Sequence, residues 1–400
     1  MLRKLGIAVA AAMAVATAQA QISGGVVKIG VLSDMSSLYA DIGGPGSVVA
    51  ARMAVEDFGA AKKGMKVEIV SADHQNKPEV GSSIARQWYD TDGVDVIVDV
   101  PTSSVALAVN QVTREKAKAF LVSGAATSDL TGKACSPNTI HWTYDTWMLA
   151  HGTGGAIVKT GGDTWFFLTA DYAFGHALER DTAEVVKANG GKVLGAVRHP
   201  LNTQDFSSFL LQAQSSKAKI IGLANAGGDT INSIKQAAEF GIVRGGQNLA
   251  GLLVFISDVN ALGLDKAEGL ILTETFYWDQ NDQTRAFAKR FAPQNKNHMP
   301  TMVQAGVYSA VLHYLKAVEA AKTDDGTKVV AKMKELPTDD PLFGKGRIRQ
   351  DGRKLHNAYL FEVKKPSESK GAWDYYKLRS TIPADQAFRP EKEGGCPLVK

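Results

Sequence analysis

Three observations predict an α/β protein with two doubly wound lobes. Strand-like apolar runs alternate with helical patterns, which marks β-α units on a parallel sheet. The alternation occurs twice in tandem. The chain has 400 residues, long for one core and suited to two. In the first series Val26–Leu32 reads as a strand, and the Gly-rich loop Gly43-Gly44-Pro45-Gly46 leads into a helix from Ser47 to Ala60. Lys66–Ser71, Val94–Val100 and Ala119–Ser123 read as further strands, with helices over Glu79–Tyr89 and Ser103–Lys116 between them.

The second series repeats the order. Asp163–Leu168, Lys192–Val197, Lys219–Leu223 and Leu252–Ile256 read as strands. Gly175–Asn189, Asp205–Ser215 and Asp229–Phe240 read as the helices between them, the first and last followed by glycine. The final third completes these lobes. Asp282–Phe291 and Ala305–Ala321 read as helices, the second turning Val307, Ala310, Val311, Tyr314 and Leu315 inward. Ile348–Arg353 and Ala358–Val363 read as a hairpin around Asp351-Gly352. The expected division is 25–145 with 277–347 for one lobe, 146–276 with 348–380 for the other, and a tail over 381–400. Three crossovers between lobes make a hinge. Parallel strands present ligands at their carboxyl ends, so the site is expected where the two sheets face each other.

Residues 1–20 set the compartment. Arg3 and Lys4 precede the apolar run Leu5–Val15, and Ala18-Gln19-Ala20 gives a cleavage pattern, so a signal peptide ending at Ala20 and export to the periplasm are expected. The formal net charge is +4 with basic residues scattered, which argues against a nucleic-acid partner. The two cysteines, Cys135 and Cys396, are expected to form one disulfide in an oxidising compartment.

The residues at the strand ends carry a resemblance. The order of elements, with VDVPTSSVAL, FLVSGAATSDLTG and FLTADYAFGHALERD, resembles the periplasmic solute-binding proteins of ABC importers of the branched-chain amino acid (Leu/Ile/Val-binding) type, over roughly Val27 to Val363. It implies a type I periplasmic-binding-protein-like fold, a monomer, a small-molecule carboxylate ligand and membrane permease subunits as partners. By that resemblance Thr102 takes the hydroxyl position of the first binding loop, Ala125 and Thr127 take those of the second, and Tyr172 falls in the cleft tyrosine region of the second lobe.

The residues support an anion site on their own. A helix opening at Ser103-Ser104 presents free N–H groups and the positive end of its dipole. Thr102, Ser103 and Ser104 add hydroxyls, and Ala125-Ala126-Thr127-Ser128 ends the neighbouring strand with small residues that let a ligand approach the backbone. Departures from the family bear on the ligand. Amino-acid binders pair the ligand ammonium with an acidic side chain of the second lobe. Asp229 and Asp258 are the candidates, but the loop Asn225-Ala226-Gly227-Gly228 is small. The crossover His141–Trp147, which includes Trp147, resembles the branch that binds aromatic carboxylates, and Phe276-Tyr277-Trp278 adds rings at the second crossover. An aromatic acid and a hydrophobic amino acid both remain candidate ligands.

No enzyme motif is present. The sequence has no G-x-x-x-x-G-K-[ST], no G-x-S-x-G and no H-E-x-x-H, and its eight histidines are scattered. No cofactor or metal is expected. A receptor module of the same fold and an exported hydrolase are the alternatives to a transport component.

Overall fold

The computed structural model describes residues 22–400; the signal peptide expected over 1–20 lies outside the described residues. The first lobe is a parallel sheet in the order β2-β1-β3-β4-β5. Its strands are β1 (Val27–Ser33), β2 (Val67–Asp73), β3 (Val96–Asp99), β4 (Ala119–Val122) and β5 (Thr139–His141). Every residue of β3 and β4 is buried, as the unbroken apolar runs of a strand covered on both faces require. Alternation then assigns the faces. Val96, Val98 and Leu121 join the core beneath α1 (Gly44–Phe58), while Ile97, Phe120 and Val122 join the core beneath α2 (Pro78–Asp90) and α3 (Ser103–Lys116).

A first crossover follows β5 and leads through α4 (Thr146–Leu149), a π turn (Ala150–Gly154) and α5 (Gly155–Lys159) into the second lobe. Its parallel sheet has the order β7-β6-β8-β9, built from β6 (Thr164–Ala170), β7 (Lys192–His199), β8 (Ile220–Ala224) and β9 (Asn248–Gly251). Trp165 and Phe167 share a core with Phe174 and Leu178 of α6 (Ala173–Ala188). On the other face Leu168, Ile221 and Leu223 pack with α7 (Ser207–Ser215) and α8 (Gly228–Glu239). The Trp165 indole donates to the Gly162 carbonyl at 2.8 Å, so the buried ring keeps its polar partner. Leu252–Ile256, expected as the last strand, is instead the loop 252–255 after β9, and α9 (Ile256–Leu262) begins at the residue where that strand was to end. An apolar run of this length fits a buried loop as well as a strand when both its sides are covered.

After α10 (Leu264–Ala267), β10 (Ile271–Glu274) ends at a second crossover, and the chain returns to the first lobe through α11 (Asp282–Phe291), α12 (Met302–Ala321) and α13 (Gly326–Glu335). Thr301 and Gln304 cap α12 reciprocally at 3.2 and 3.0 Å. Three short strands follow, β11 (Thr338–Asp340), β12 (Gly344–Ile348) and β13 (Lys354–Leu355). The expected hairpin differs in its partner. β12 pairs antiparallel with β13 around Asp351-Gly352, whereas β14 (Ala358–Val363) lies past the third crossover, between β10 and β15 (Tyr376–Ile382) in the second lobe. The tail then runs through α14 (Ala384–Ala387) back to the first lobe, where Cys396 is bonded to Cys135 with their Cα atoms 5.7 Å apart. Among the described residues no helix is long and apolar enough to cross a membrane.

Candidate ligand cleft between the lobes

The carboxyl ends of the two sheets face each other, and the floor of the space between them is a sharp turn of the first lobe. Asp99 and Val100 leave β3 at φ 81° and 55°, so the chain reverses and sets Pro101 on the cleft. The turn is tied back to β1 and α1. Ser33 Oγ donates to Asp99 at 2.7 Å and accepts from the Gly44 N–H at 2.9 Å. Burial pushes the Asp99 carboxyl up to about 6, against the lowering effect of these hydroxyl contacts. Gly124, at the end of β4, must be glycine because a Cβ there would lie 2.5 Å from Pro101 Cα.

The first lobe also supplies a lip. In the loop after β1, Asp34 accepts from the N–H groups of Ser37 at 2.9 Å and Tyr39 at 2.8 Å and from the Asn76 amide at 2.7 Å. Burial alone would raise this carboxyl, but the hydrogen bonds outweigh it and hold it below the usual range. The loop so fixed carries Tyr39 across the cleft to Tyr172 of the second lobe, with 2.6 Å between the phenol oxygens. Gly227 forms the seat, since a Cβ there would meet the Leu38 carbonyl at 2.7 Å and the Tyr39 ring at 3.1 Å.

Tyr39, Ile42, Pro101, Gly124 and Ala126 line the cleft from the first lobe, and Tyr144 lines it from the first crossover. Tyr172, Phe174, Ala226, Leu253 and Phe255 line it from the second lobe. Tyr144 donates to the Gly124 carbonyl at 2.6 Å and meets Phe255 edge-on at 6.0 Å. The lobes are drawn close, leaving about 10 Å³ for the centre of a water-sized sphere, about enough for one water. The lining contains no charged side chain. Nearby carboxyls are engaged elsewhere and raised chiefly by burial. Asp229 accepts from the Thr203 and Asn202 N–H groups at 2.9 and 3.1 Å and is pushed up to about 7. Asp258 accepts from the Phe255 N–H at 2.9 Å and is also raised to about 7. Glu274 accepts from the Tyr376 hydroxyl at 2.7 Å and is raised to about 8.

Of the residues singled out from sequence, Ala126 and Tyr172 line the cleft. The others lie outside the lining, and several have their polar atoms in use. Ser103 Oγ accepts from the N–H groups of Ala126 and Thr127 at 3.3 and 3.2 Å, bracing the two loops together. Thr102 Oγ1 donates to Asn76 Oδ1, and Thr127 Oγ1 accepts from the Asp129 N–H at 3.4 Å. Ser104 is half-buried at the start of α3. The Ala125 carbonyl accepts from the His141 ring at 2.7 Å. Asn225 is buried in a network with Thr230 and Ser233 at 2.7 and 3.0 Å.

The expected rings divide sharply. Trp147 stacks on His151 at 3.5 Å away from the cleft, and Phe276 packs against Phe287 and Phe343. Asp258, expected as an ammonium partner, faces its own helix start instead of the lining. The residues missed are Tyr39, Ile42, Phe174, Leu253 and Phe255. Only Tyr39 carried a sequence signal, being a lone aromatic in the polar loop Asp34–Gly44.

A model of the periplasmic binding protein family matches residues 26–372. A crystal structure of a periplasmic binding protein from Burkholderia mallei is 55% identical, with TM-score 0.92, covering 94% of this chain and 100% of that one. A branched-chain amino acid ABC transporter periplasmic ligand-binding protein from Burkholderia xenovorans is 42% identical, with TM-score 0.82 and coverage of 94% and 100%. A solute-binding protein of an ABC transporter from R. palustris, solved with benzoate, shares the fold at 22% identity and TM-score 0.80, covering 94% and 100%. The chain belongs to the periplasmic binding protein family, whose members here are solute-binding proteins and not enzymes.

Proposed function

We propose that the chain is the substrate-binding component of an ABC importer that captures a small aromatic carboxylate between its lobes and delivers it, as a monomer, to membrane permease subunits. The observation that carries the ligand class is the lining, which consists of rings, aliphatic groups and phenol hydroxyls with no ionised side chain. An α-amino acid entering such a space loses the hydration of its ammonium and gains no opposite charge, a cost of several kcal/mol in order of magnitude. An aromatic acid brings a flat apolar body that the rings of Tyr144, Phe174 and Phe255 can hold edge-on or offset. Its carboxylate needs donors only. As the lobes part to admit it, the phenols of Tyr39 and Tyr172 are released from each other to donate. The N–H groups of Ala126 and Thr127, with the hydroxyls of Thr102, Ser103 and Ser104 beside the start of α3, supply the remaining positive field.

The second reading is a hydrophobic amino acid, favoured by the 42% identical relative described as a branched-chain amino acid binder. Isothermal titration of the mature protein with benzoate and with leucine separates the two. Tight binding of benzoate, with Asp258→Asn leaving it unchanged, is expected. Binding of leucine alone, abolished by Asp258→Asn, overturns the aromatic assignment and makes that carboxylate the ammonium partner.

A further inference from the structure

The tail reaches the first lobe from a strand of the second. β15 pairs along β14, Ile382 opposite Ala358, so the chain is still part of the second lobe at that point. Fourteen residues on, Cys396 is bonded to Cys135, which follows the turn Ser128–Thr131 of the first lobe. The segment between them runs over the surface with Ala387 and Phe388 buried beneath it. The Ala384 N–H donates to Asn357 Oδ1 at 3.1 Å. Phe388 is buried, stands edge-on to His356 at 5.3 Å and lies under the Arg353 guanidinium at 4.4 Å. The Arg389 carbonyl accepts from Arg349 at 2.7 Å while its own guanidinium donates to the Ser128 carbonyl at 2.9 Å. Glu391 accepts from the Gln350 N–H at 2.8 Å.

The turn that receives the tail is itself held by the second lobe. Arg180 of α6 donates to Ser128 Oγ at 2.9 Å and Asp129 at 3.2 Å, and Asp181 accepts from Ser128 Oγ at 2.8 Å and Thr146 Oγ1 at 2.6 Å. Gly132 accepts the tail at close range, because a Cβ there would lie 2.7 Å from the Gly394 carbonyl and 2.8 Å from the Arg389 guanidinium.

We infer that the tail is a fourth connection between the lobes, a strap that its covalent anchor and Arg389 fix to the first lobe, that lays Phe388 against His356 at the third crossover, and that restrains opening. Its segment is long enough to span a wide gap when extended, at about 3.3–3.6 Å per residue, so it does not act by length. It acts by packing. For the lobes to part widely, Phe388 must shift from the third crossover, and the anchor returns it to the same place by keeping its effective concentration high.

The inference is independent of the ligand assignment and is tested first without ligand. Oxidised wild type, Cys135→Ser/Cys396→Ser and Phe388→Ala are compared by small-angle scattering and by hydrogen exchange at the crossover amides of Trp142–Tyr144 and Arg353–Asn357. Both variants should show a larger radius of gyration, and exchange at those amides should rise about tenfold or more relative to the sheet cores. Phe388→Ala keeps the bridge and so reports on the strap even where the serine variant does not fold. A lower melting temperature with radius and crossover exchange unchanged overturns the inference and leaves the bridge as a staple for the terminus alone. A second arm uses benzoate and leucine as probes. Whichever binds should dissociate faster from the variants, since restraint on opening acts on release. If neither probe binds wild type, the ligand assignment fails while the scattering result still decides the strap.

Discussion

The two lobes follow the same doubly wound plan and meet the cleft in opposite ways. The first presents Tyr39, Ile42, Pro101, Gly124 and Ala126 on loops braced by a dense polar frame, with Ser33, Asp99 and Gly44 linked beneath the floor and Ser103 tying the two strand-end loops. The second presents side chains, with Phe174 in the first turn of α6, Leu253 and Phe255 on the loop after β9, and its polar groups Asn225, Asp229 and Asp258 turned into its own body. The difference divides recognition between them. On the proposed reading the first lobe would take the charged end of the ligand and the second would shape the space for its body. Changes of ligand within this architecture should therefore be concentrated in the second lobe's loops.

The largest test of that division is Phe255→Ala. The ring is 1% exposed, so its loss should lower stability by about 3–5 kcal/mol and weaken an aryl acid by at least tenfold. Chemical denaturation and calorimetry read the two effects. An unchanged affinity would remove the second lobe from recognition of the ligand body. Ser103→Ala tests the other lobe. It leaves the N–H groups of Ala126 and Thr127 without their acceptor, at a cost of about 1–3 kcal/mol. The same two N–H groups become free for a ligand carboxylate, so the stability loss should exceed the affinity loss. A larger loss of affinity than of stability would instead make the Ser103 hydroxyl a direct ligand contact.

A pH series separates the lobes by titration. Each raised carboxyl binds its proton more tightly when folded, so its contribution is complete below the unfolded pKa and is lost as pH rises through the folded value. Asp99 is lost near 6, whereas Asp258 and Glu274 of the second lobe, ordinarily 3.8 and 4.5, are lost towards about 7 and 8. Stability should fall from about pH 4 to 8, first with all three groups and above about pH 6 with those of the second lobe alone, by at most about 1.4 kcal/mol per pH unit for each group. Glu274→Gln should flatten that slope in urea titrations, and a slope unaffected by it would place the titrating group elsewhere. Lys354 works in the opposite sense. It is buried against Trp142 and Phe343 at the third crossover, and burial lowers it from 10.5 to about 8. Stability should climb again from pH 8 towards 10.5, giving a minimum near 8. The smallest expected effect is Tyr172→Phe. It removes one hydroxyl of the interlobe pair and should weaken closure by about 0.5–1.5 kcal/mol, read as faster ligand release with little change in melting temperature.

The parts of the fold that the sequence announces are those where one rule dominates. The span of α3 is read as Ser103–Lys116 and observed so, because apolar spacing and a polar start agree. The runs of β3 and β4 carry no competing helical period. β15 was not legible, since its exposed alternation Lys377-Leu378-Arg379-Ser380-Thr381 reads as a polar loop until β14 is beside it. Apart from Tyr172, the cleft was legible only from the first lobe. Its strand-end loops sit at fixed positions relative to parallel strands, whereas Leu253 and Phe255 belong to an apolar run whose direction depends on the opposite lobe. Of the rings in His141–Trp147, Trp142 donates to Ser309 in the first-lobe core at 2.9 Å and only Tyr144 turns into the cleft. Ring content at a crossover does not reveal which ring faces the ligand. The loop Asn225–Gly228 before the candidate Asp229 read only as small, and in the structure Gly227 is the seat for Leu38 and Tyr39.

The turn at Asp99 and Val100 has a consequence for how this molecule changes over generations. Two successive residues with side chains sit in the left-handed region, at about 1–2 kcal/mol each, immediately before a proline that disfavours helical backbone in its predecessor. Val100→Gly would relieve that strain in the folded state, although it also removes a buried side chain. The glycine would loosen the one segment that holds Pro101 at a set height beneath the cleft. Drift towards relaxed backbone at this turn is therefore a route by which a lineage trades sharpness of discrimination for breadth of diet.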